Sequence, residues 1–423
     1  MSDFDIEAVR AQFPALAGDQ VFFDNAGGSQ TLGTVIEAIR DYLLRSNVQL
    51  GGTYKTGKLT SERYDAAWAA GARYVNADET EIVIKFKASR YSQEDITNPN
   101  AQVFGASTTQ LFRNLSFTLA FDEGDEVVIS SIDHEANIAP WVDLAARQKL
   151  VLKWWTPSLS PSSSTNPNPQ LLPSDLEKLL TPRTRLVACT HVSNILGSIN
   201  DIGGIVAAVR GGPSPRALVV VDGVSYAPHR PLDLGALGVD AYAFSWYKVY
   251  GPHIAMLYVG RRVQDQMRTL GHFFRKSNTL EEKIGLAGAS YELLHSLSAT
   301  TAYLPPSPDD SRWASLASHE ETLQKTLLAY LVSRDDVTVY GDTTGDSAMR
   351  VSTISFRVAG WRSQEVVETV ESASVFGFRW GAFYSVRLVS GLLGLDDDGI
   401  VRVIDEVKSF IAAMEKHIPK RNS

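Results

Sequence analysis

The sequence predicts an α/β fold built on a mainly parallel sheet, with a smaller α+β domain following it. Two patterns carry that prediction. From about residue 115 to 260, short runs rich in β-branched and aromatic residues alternate with helical segments, as strands joined by crossover helices do. After about residue 290 the texture changes to a long helical stretch, one strand-like run and two further helices. The 423 residues, 44% hydrophobic and 21% charged, suffice for one large core and a smaller one.

Taken in order, "TVIEAIRDYLLRS" has helical periodicity. The strands of the first region are "DEVVISS", "LVLKWWT", "TRLVACTHV", "ALVVVDGVSY", "DAYAFSWY" and "IAMLYVG", with helical "PSDLEKLL" and "DIGGIVAAVR" between some of them. Later come the strand "VSTISFRV" and the helices "SQEVVETVESA" and "IDEVKSFIAAMEKH". The polar stretch Pro157 to Gln170 reads as an exposed flexible loop. Lys85 to Val103 is an atypical insert, polar and without apolar periodicity, between "TEIVI" and "FGASTTQLF". Its 19 codons keep the reading frame, so a retained short intron is the hypothesis for it. A spliced transcript that still encodes the segment would refute that idea.

The formal net charge of −8 gives no general electrostatic reason to bind nucleic acid or an anionic membrane, so a small-molecule substrate is expected. Cys189 is the only cysteine, which excludes intramolecular disulfides and multi-cysteine metal sites. Its neighbours predict a buried strand. The N-terminus has no basic flank or apolar signal core, and no run reaches the length of a spanning helix. A soluble, cytoplasmic protein is expected.

"GGTYKTGKLT" nearly spells a phosphate-binding loop through Gly52, Gly57 and Lys58, but Leu59 stands where a hydroxyl must reach magnesium, and the segment follows a helix rather than a strand. A more informative constellation lies at predicted strand ends, where ligand crevices form in such sheets. "VVVDGVSYAPH" ends a strand on Asp222, and "FSWYKVYGPH" ends the next near Lys248. An amine among aromatics and an acid on the neighbouring strand suit pyridoxal 5′-phosphate (PLP), with Lys248 as the Schiff-base lysine and Asp222 keeping the pyridine nitrogen protonated. Seen alone, Asp222 reads equally as a turn cap and Lys248 as a snorkelling side chain. "FGASTTQLFRNL" places Ser107, Thr108 and Thr109 before a helix whose first N–H groups suit a phosphate, or form a simple N-cap. His134 in "SSIDHEANIAPW" could stack on a cofactor, and Asn194 in "THVSNILGS" could donate to its phenolate oxygen. Packing and turn capping are the plainer readings.

The blocks "VFFDNAGGSQ", "DHEANIAPW", "THVSNILGS" and "VVVDGVSYAPHRPLDLGALGVDAYAFSWYKVYGPH" resemble the cysteine-desulfurase-like branch of the class V aminotransferases, fold-type I PLP-dependent enzymes. The resemblance covers nearly the whole chain. It implies a seven-stranded, mainly parallel sheet in a large PLP domain over residues 21–290. A smaller α+β domain would take residues 291–423, with residues 1–20 as its N-terminal segment. It implies Lys248 as cofactor lysine and mover of the Cα proton, Asp222 on the pyridine nitrogen, and His134 as a second catalytic residue, stacked on the ring and shuttling protons. Thr108, Thr109 and Ser245 would hold the phosphate, with Asn194 and Ser225 beside the cofactor. Asn25, Ala26 and Gly27 would line the substrate pocket, and Arg402 would grip the substrate carboxylate. A homodimer acting on an amino acid or amine is implied as well.

The chain departs from that pattern at several points. Tyr384 in "FRWGAFYSVRL" stands where desulfurases carry the cysteine that accepts sulfur. Tyr247 and Ser225 stand where relatives often carry His or Gln, and a Gly-Thr phosphate contact from a partner subunit is replaced near Gly288. "VRVIDEV" runs directly into the last helix, which leaves the placement of Arg402 open. The expected activity is therefore a PLP-dependent lyase acting by C–S or Cβ elimination without a persulfide cysteine. Transamination, racemisation or a carbon–carbon bond-forming cyclisation in a specialised pathway are alternatives, and so is a catalytically degenerate paralogue that acts as a binding protein.

Overall fold

The computed structural model describes residues 5–77, 102–157, 166–274, 279–285, 288–403 and 407–421. A short strand β1 (Val21–Phe22) precedes seven strands that form one sheet: β2 (Gln102–Gly105), β3 (Glu126–Ser130), β4 (Val151–Trp155), β5 (Thr184–Thr190), β6 (Leu218–Asp222), β7 (Ala241–Ser245) and β8 (Ala255–Val259). Their order is β2-β8-β7-β6-β5-β3-β4. All neighbouring pairs from β7 to β4 are parallel, while β8 runs antiparallel to both β7 and β2. The reversal follows from chain length: only residues 246–254 separate β7 from β8, too few for the crossover a parallel pair needs.

Every residue of β6, β7 and β8 is buried. Strands covered by helices on both faces read as continuous apolar runs rather than alternating ones, which is why "LVVV" and "AYAF" are legible as central strands. The carboxyl ends of β6 and β7 are the exceptions, ending on Asp222 and Ser245.

The smaller domain holds β9 (Val337–Tyr340), β10 (Ile354–Val358), β11 (Phe376–Gly377), β12 (Arg379–Gly381) and β13 (Ile400–Val403). Four of them form an antiparallel sheet in the order β12-β13-β10-β9, and β11 pairs in parallel with β1. The domain has its own core, with Phe23, Leu327, Phe356, Val367, Phe378 and Phe410 in one cluster.

Both expected domain edges differ from the packing. Val21 to Phe23 join the smaller domain through β11 and the Phe23 contacts. The helix Tyr291–Tyr303, expected to open that domain, instead buries Leu294 and Leu297 in the large core. The next helix, Ser311–Ser333, spans both cores, with Trp313 in the large one and Leu327, Leu328 and Leu331 in the small one.

Of the insert, residues 85–101 lie outside the described residues, but Gln102 and Val103 are buried members of β2 paired with Tyr258 and Leu257. Of the loop Pro157–Gln170, residues 158–165 lie outside the described residues. Its end is docked rather than flexible: Asn166 accepts from the Val339 N–H at 3.0 Å, Asn168 accepts from the Ser198 hydroxyl at 2.7 Å, and Pro167 C=O accepts from Gly341. The near phosphate-loop is a helix start. Gly57 sits in the first turn of the helix Lys55–Tyr74 against Gly52, where a Cβ would lie 2.7 Å from the Gly52 oxygen. Among the described residues, no helix is long and apolar enough to cross a membrane.

A buried ionic cluster joins the two domains. Glu320 on the spanning helix accepts from Arg230 at 2.7 Å and pairs with His229, and Arg230 also donates to the carbonyls of Ser347 and Arg350. Burial alone would raise the Glu320 pKa, yet its contacts with His229 and Arg230 hold it below the usual value. Removing one partner of such a cluster strands the other. Glu320→Ala is accordingly expected to lower stability by about 3–5 kcal/mol in denaturant unfolding, with Glu320→Gln, which keeps an acceptor for Arg230, losing less.

Candidate active site

The turn Trp246–Lys248 leaves the end of β7, with the Trp246 and Val249 side chains buried on either side. Gly251 N–H donates back to Trp246 C=O at 2.9 Å, and a Cβ on Gly251 would sit 3.1 Å from that oxygen, so the turn is closely packed around its glycine. The N-terminal segment straps the turn in place. Ser29 donates to Tyr247 C=O through both its N–H (3.0 Å) and its hydroxyl (3.1 Å), and Tyr250 N–H donates to the Ser29 hydroxyl at 2.8 Å. The Lys248 amine is held down to about 8, chiefly by burial and next by the Arg402 charge, with Asp222 and Asp24 opposing.

Asp222 is buried, and its Oδ1 accepts from Val224 N–H at 2.9 Å. Burial raises its pKa to about 6, against that hydrogen bond and the Lys248 charge. A second buried acid, Asp133, accepts from Thr190 N–H at 3.1 Å and from the Asn137 amide at 2.8 Å. It is pushed to about 8, mainly by burial and partly by the Asp222 charge.

Asp133 ends the loop that carries His134. His134 caps the turn Glu135–Asn137, its Nδ1 accepting from Ala136 N–H at 3.0 Å, so the neutral ring carries its proton on Nε2. Burial, then the charges of Lys248 and Arg402, depress its pKa to about 4. At neutral pH this ring is a flat, uncharged surface rather than a stored proton.

Thr108 and Ser245 are both buried and share a 2.8 Å hydroxyl–hydroxyl hydrogen bond. Thr108 opens the 11-residue helix Thr108–Thr118, with Ser107 as its N-cap. Thr109, grouped with Thr108 in the sequence, is exposed. Asn25, Ala26, Ser225 and Lys248 line a common groove of about 1400 Å³ that runs on to Leu316 and Glu320. Gly27 instead lies against Asp24 and Arg379.

Asn194 is engaged differently from the sequence expectation. Its amide donates to Phe383 C=O at 3.0 Å, and its oxygen accepts from the Ser385 hydroxyl at 2.9 Å. The loop carrying Tyr384 is thereby tied down, and Tyr384 C=O also accepts from Glu135 N–H at 2.8 Å. The Tyr384 ring lies 5.2 Å from His134. Phe383 and Tyr384 both have left-handed backbone, φ of 46° and 59°, conformations that cost non-glycine residues free energy and persist where surroundings over-determine them.

Arg402 is buried in β13, not a surface residue. It donates to Asn194 C=O at 3.2 Å and to Asp24 at 3.0 Å, with its guanidinium 3.7 Å from the Phe383 ring centroid. Thus Lys248, Asp222, His134, Asn194 and Arg402, scattered over 269 positions (134 to 402), gather where the domains meet. Sequence reasoning missed Asp24, Arg379, Asp133 and Phe383. Asp24 and Asp133 adjoin the singled-out Asn25 and His134, a signal that was available; Arg379 and Phe383 had none short of the strand register.

Comparison with known proteins identifies the family. The family model "Aminotransferase class-V" matches residues 96–377. The chain belongs to the class V aminotransferase family. The aminotransferase-like protein FGM3 of Gibberella zeae is 49% identical over 98% of both chains. The cysteine desulfurase-like protein ustD of Aspergillus flavus is 32% identical over 98% of this chain and 91% of that protein. The fold matches the crystal structure of the cysteine desulfurase CsdA of Escherichia coli with a TM-score of 0.78 at 22% identity, covering 99% of this chain and 98% of that one.

The cofactor of this class V family is PLP, and the donor set fits it: an amine biased toward neutrality, a buried acid on the adjacent strand, and paired hydroxyls at a helix start. Capture of PLP requires a neutral amine. The rate at which cofactor-free protein takes up PLP should rise with pH around a midpoint near 8, read as growth of visible absorbance, rather than continuing to climb toward the ordinary lysine range. The raised pKa of Asp133 also makes a stability statement. The folded protein holds a proton that the unfolded chain loses near pH 4, so this group's contribution declines as pH rises toward 8. Melting curves of Asp133→Asn should fall less steeply between pH 5 and 8 than those of wild type.

Proposed function

We propose that this protein is a PLP-dependent lyase that breaks a bond at Cβ of an amino acid or amine without a persulfide relay. The observation that carries the second half of the reading is the fate of sulfur acceptors. Cys189, the only cysteine, is sealed in β5 with its thiol pKa raised by burial, and Tyr384 occupies the site loop. A leaving group therefore departs to solution or to another acceptor instead of passing to a cysteine of this chain.

When bound, PLP supplies an electron sink conjugated with the substrate Cα. The remaining work falls to residues of the chain. Lys248 holds or moves the Cα proton in this reading, which its lowered pKa supports, since it suits a base working near neutrality. Asp222 supplies the negative charge that keeps a ring nitrogen protonated. His134 offers a flat neutral face and an Nε2–H. Thr108, Thr109, Ser245 and the helix start hold the phosphate, Ser225 borders the ring, Arg402 takes the substrate carboxylate, and Asn25 and Ala26 form the pocket wall. The reading includes a homodimer in the cytoplasm; the fully exposed Phe273 and its neighbour Phe274 offer apolar surface for a second copy.

Transamination is the second reading, favoured by the similarity to an aminotransferase-like protein. The visible spectrum of purified protein with PLP, before and after borohydride and beside Lys248→Ala, tests the first step. A band bleached by borohydride in wild type and absent in the variant is expected; a protein that stays colourless would favour a degenerate paralogue. A screen of amino acids then separates the readings. Ammonia together with a keto acid, or sulfide from cysteine, supports the lyase, whereas amino transfer to an added keto acid without ammonia overturns it.

A further inference from the structure

The register of the smaller sheet sets two arginines directly opposite one another. Arg379 on β12 pairs with Arg402 on β13, and like charges facing across antiparallel strands repel. Asp24 resolves the conflict. One carboxylate oxygen accepts from Arg402 at 3.0 Å, and the other accepts from Arg379. Asp24 arrives there because β1 adds onto β11 just upstream and the chain then turns through Asn25–Gly27. The fit is close: a Cβ on Gly27 would lie 2.2 Å from the Arg379 guanidinium and 2.6 Å from the Asp24 carboxylate.

The Arg402 side chain, 3% exposed, is fixed on three sides. Asn194 C=O takes one terminal nitrogen, Asp24 takes the other, and Phe383 covers the plane. Its Nε–H is buried and has no acceptor. A buried donor without a partner carries a free-energy cost, which a carboxylate bound along that edge of the guanidinium would remove.

We propose that Asp24 is a positioning residue that holds Arg402 with its unpartnered Nε–H reserved for a substrate carboxylate and offsets the charge of the facing Arg379. The inference rests on the reading of Arg402 as the carboxylate-binding residue. Asp24 does not touch the reacting atoms; it acts through the two arginines. Removing its charge frees Arg402 to turn and leaves two guanidiniums in mutual repulsion, so recognition of the carboxylate suffers while capture of PLP by Lys248 does not.

The test is a binding measurement on PLP-loaded protein, titrated with L-alanine and with ethylamine, its counterpart without a carboxylate, and read as change in visible absorbance. Wild type should prefer L-alanine. Asp24→Asn should raise the Kd for L-alanine by about tenfold or more, the scale of one lost charge-assisted contact, with the Kd for ethylamine and for PLP unchanged. If Arg402→Gln weakens L-alanine but Asp24→Asn leaves it unchanged or tighter, the positioning role fails while the Arg402 reading stands. If Arg402→Gln leaves the preference for L-alanine intact, the Arg402 reading fails and the inference falls with it. Should Asp24→Asn not fold, the double variant Asp24→Asn/Arg379→Gln removes one charge of each sign. It should still bind L-alanine weakly, and recovery of wild-type affinity would overturn the proposal.

Discussion

The parallel pairing of β6 with β7 sets Asp222 opposite Ala243, only two residues before β7 ends on Ser245. Because both strands are buried on both faces, their register is fixed by packing and cannot slip without moving apolar side chains. An acid and, one turn later, an amine therefore emerge side by side at the same sheet edge. The rest of the site is arranged around that edge. β5 ends beside it and delivers Thr190, which anchors Asp133 and through it the His134 loop. The helix Thr108–Thr118 starts there, with Thr108 on Ser245.

Charge around Lys248 is balanced by position more than by number. Two guanidiniums lower and two carboxylates raise the proton affinity of the amine, and the buried setting magnifies each of them. Burial pulls Lys248 and His134 toward their neutral forms and raises both Asp133 and Asp222. An amine that is half protonated near pH 8 and an imidazole that is neutral throughout the physiological range have separate capacities. The first can exchange a proton; the second presents a flat neutral face and an Nε2–H, its Nδ1 already accepting from Ala136 N–H.

The two domains contribute unequal parts. The large sheet supplies Lys248, Asp222 and the hydrogen-bonded hydroxyls of Thr108 and Ser245, while the smaller sheet supplies both arginines and the loop of Phe383 and Tyr384. Asn194 bridges them, holding that loop by its side chain and Arg402 by its backbone carbonyl. The N-terminal segment crosses the same seam, with Ser29 strapped to the Lys248 turn and Asp24 seated between the arginines.

Much of this was legible in sequence. The apolar runs ending in Asp222 and in Ser245 to Lys248 announce central strands of a parallel sheet, because burial on both faces leaves an unbroken hydrophobic signature with a polar residue only at its carboxyl end. The identity of the chemical groups, the lone cysteine and the tyrosine at position 384 needed no coordinates. Tertiary structure decided the relations between distant strands: the pairing of Arg379 with Arg402, the Asp24 carboxylate that joins them, the amide of Asn194 turned toward Phe383, and the domain edges at Phe23 and Tyr291. No local pattern encodes these. Strand register and domain packing are set by the summed burial of side chains far apart in the chain, and a single charged residue carries no mark of the partner that will face it.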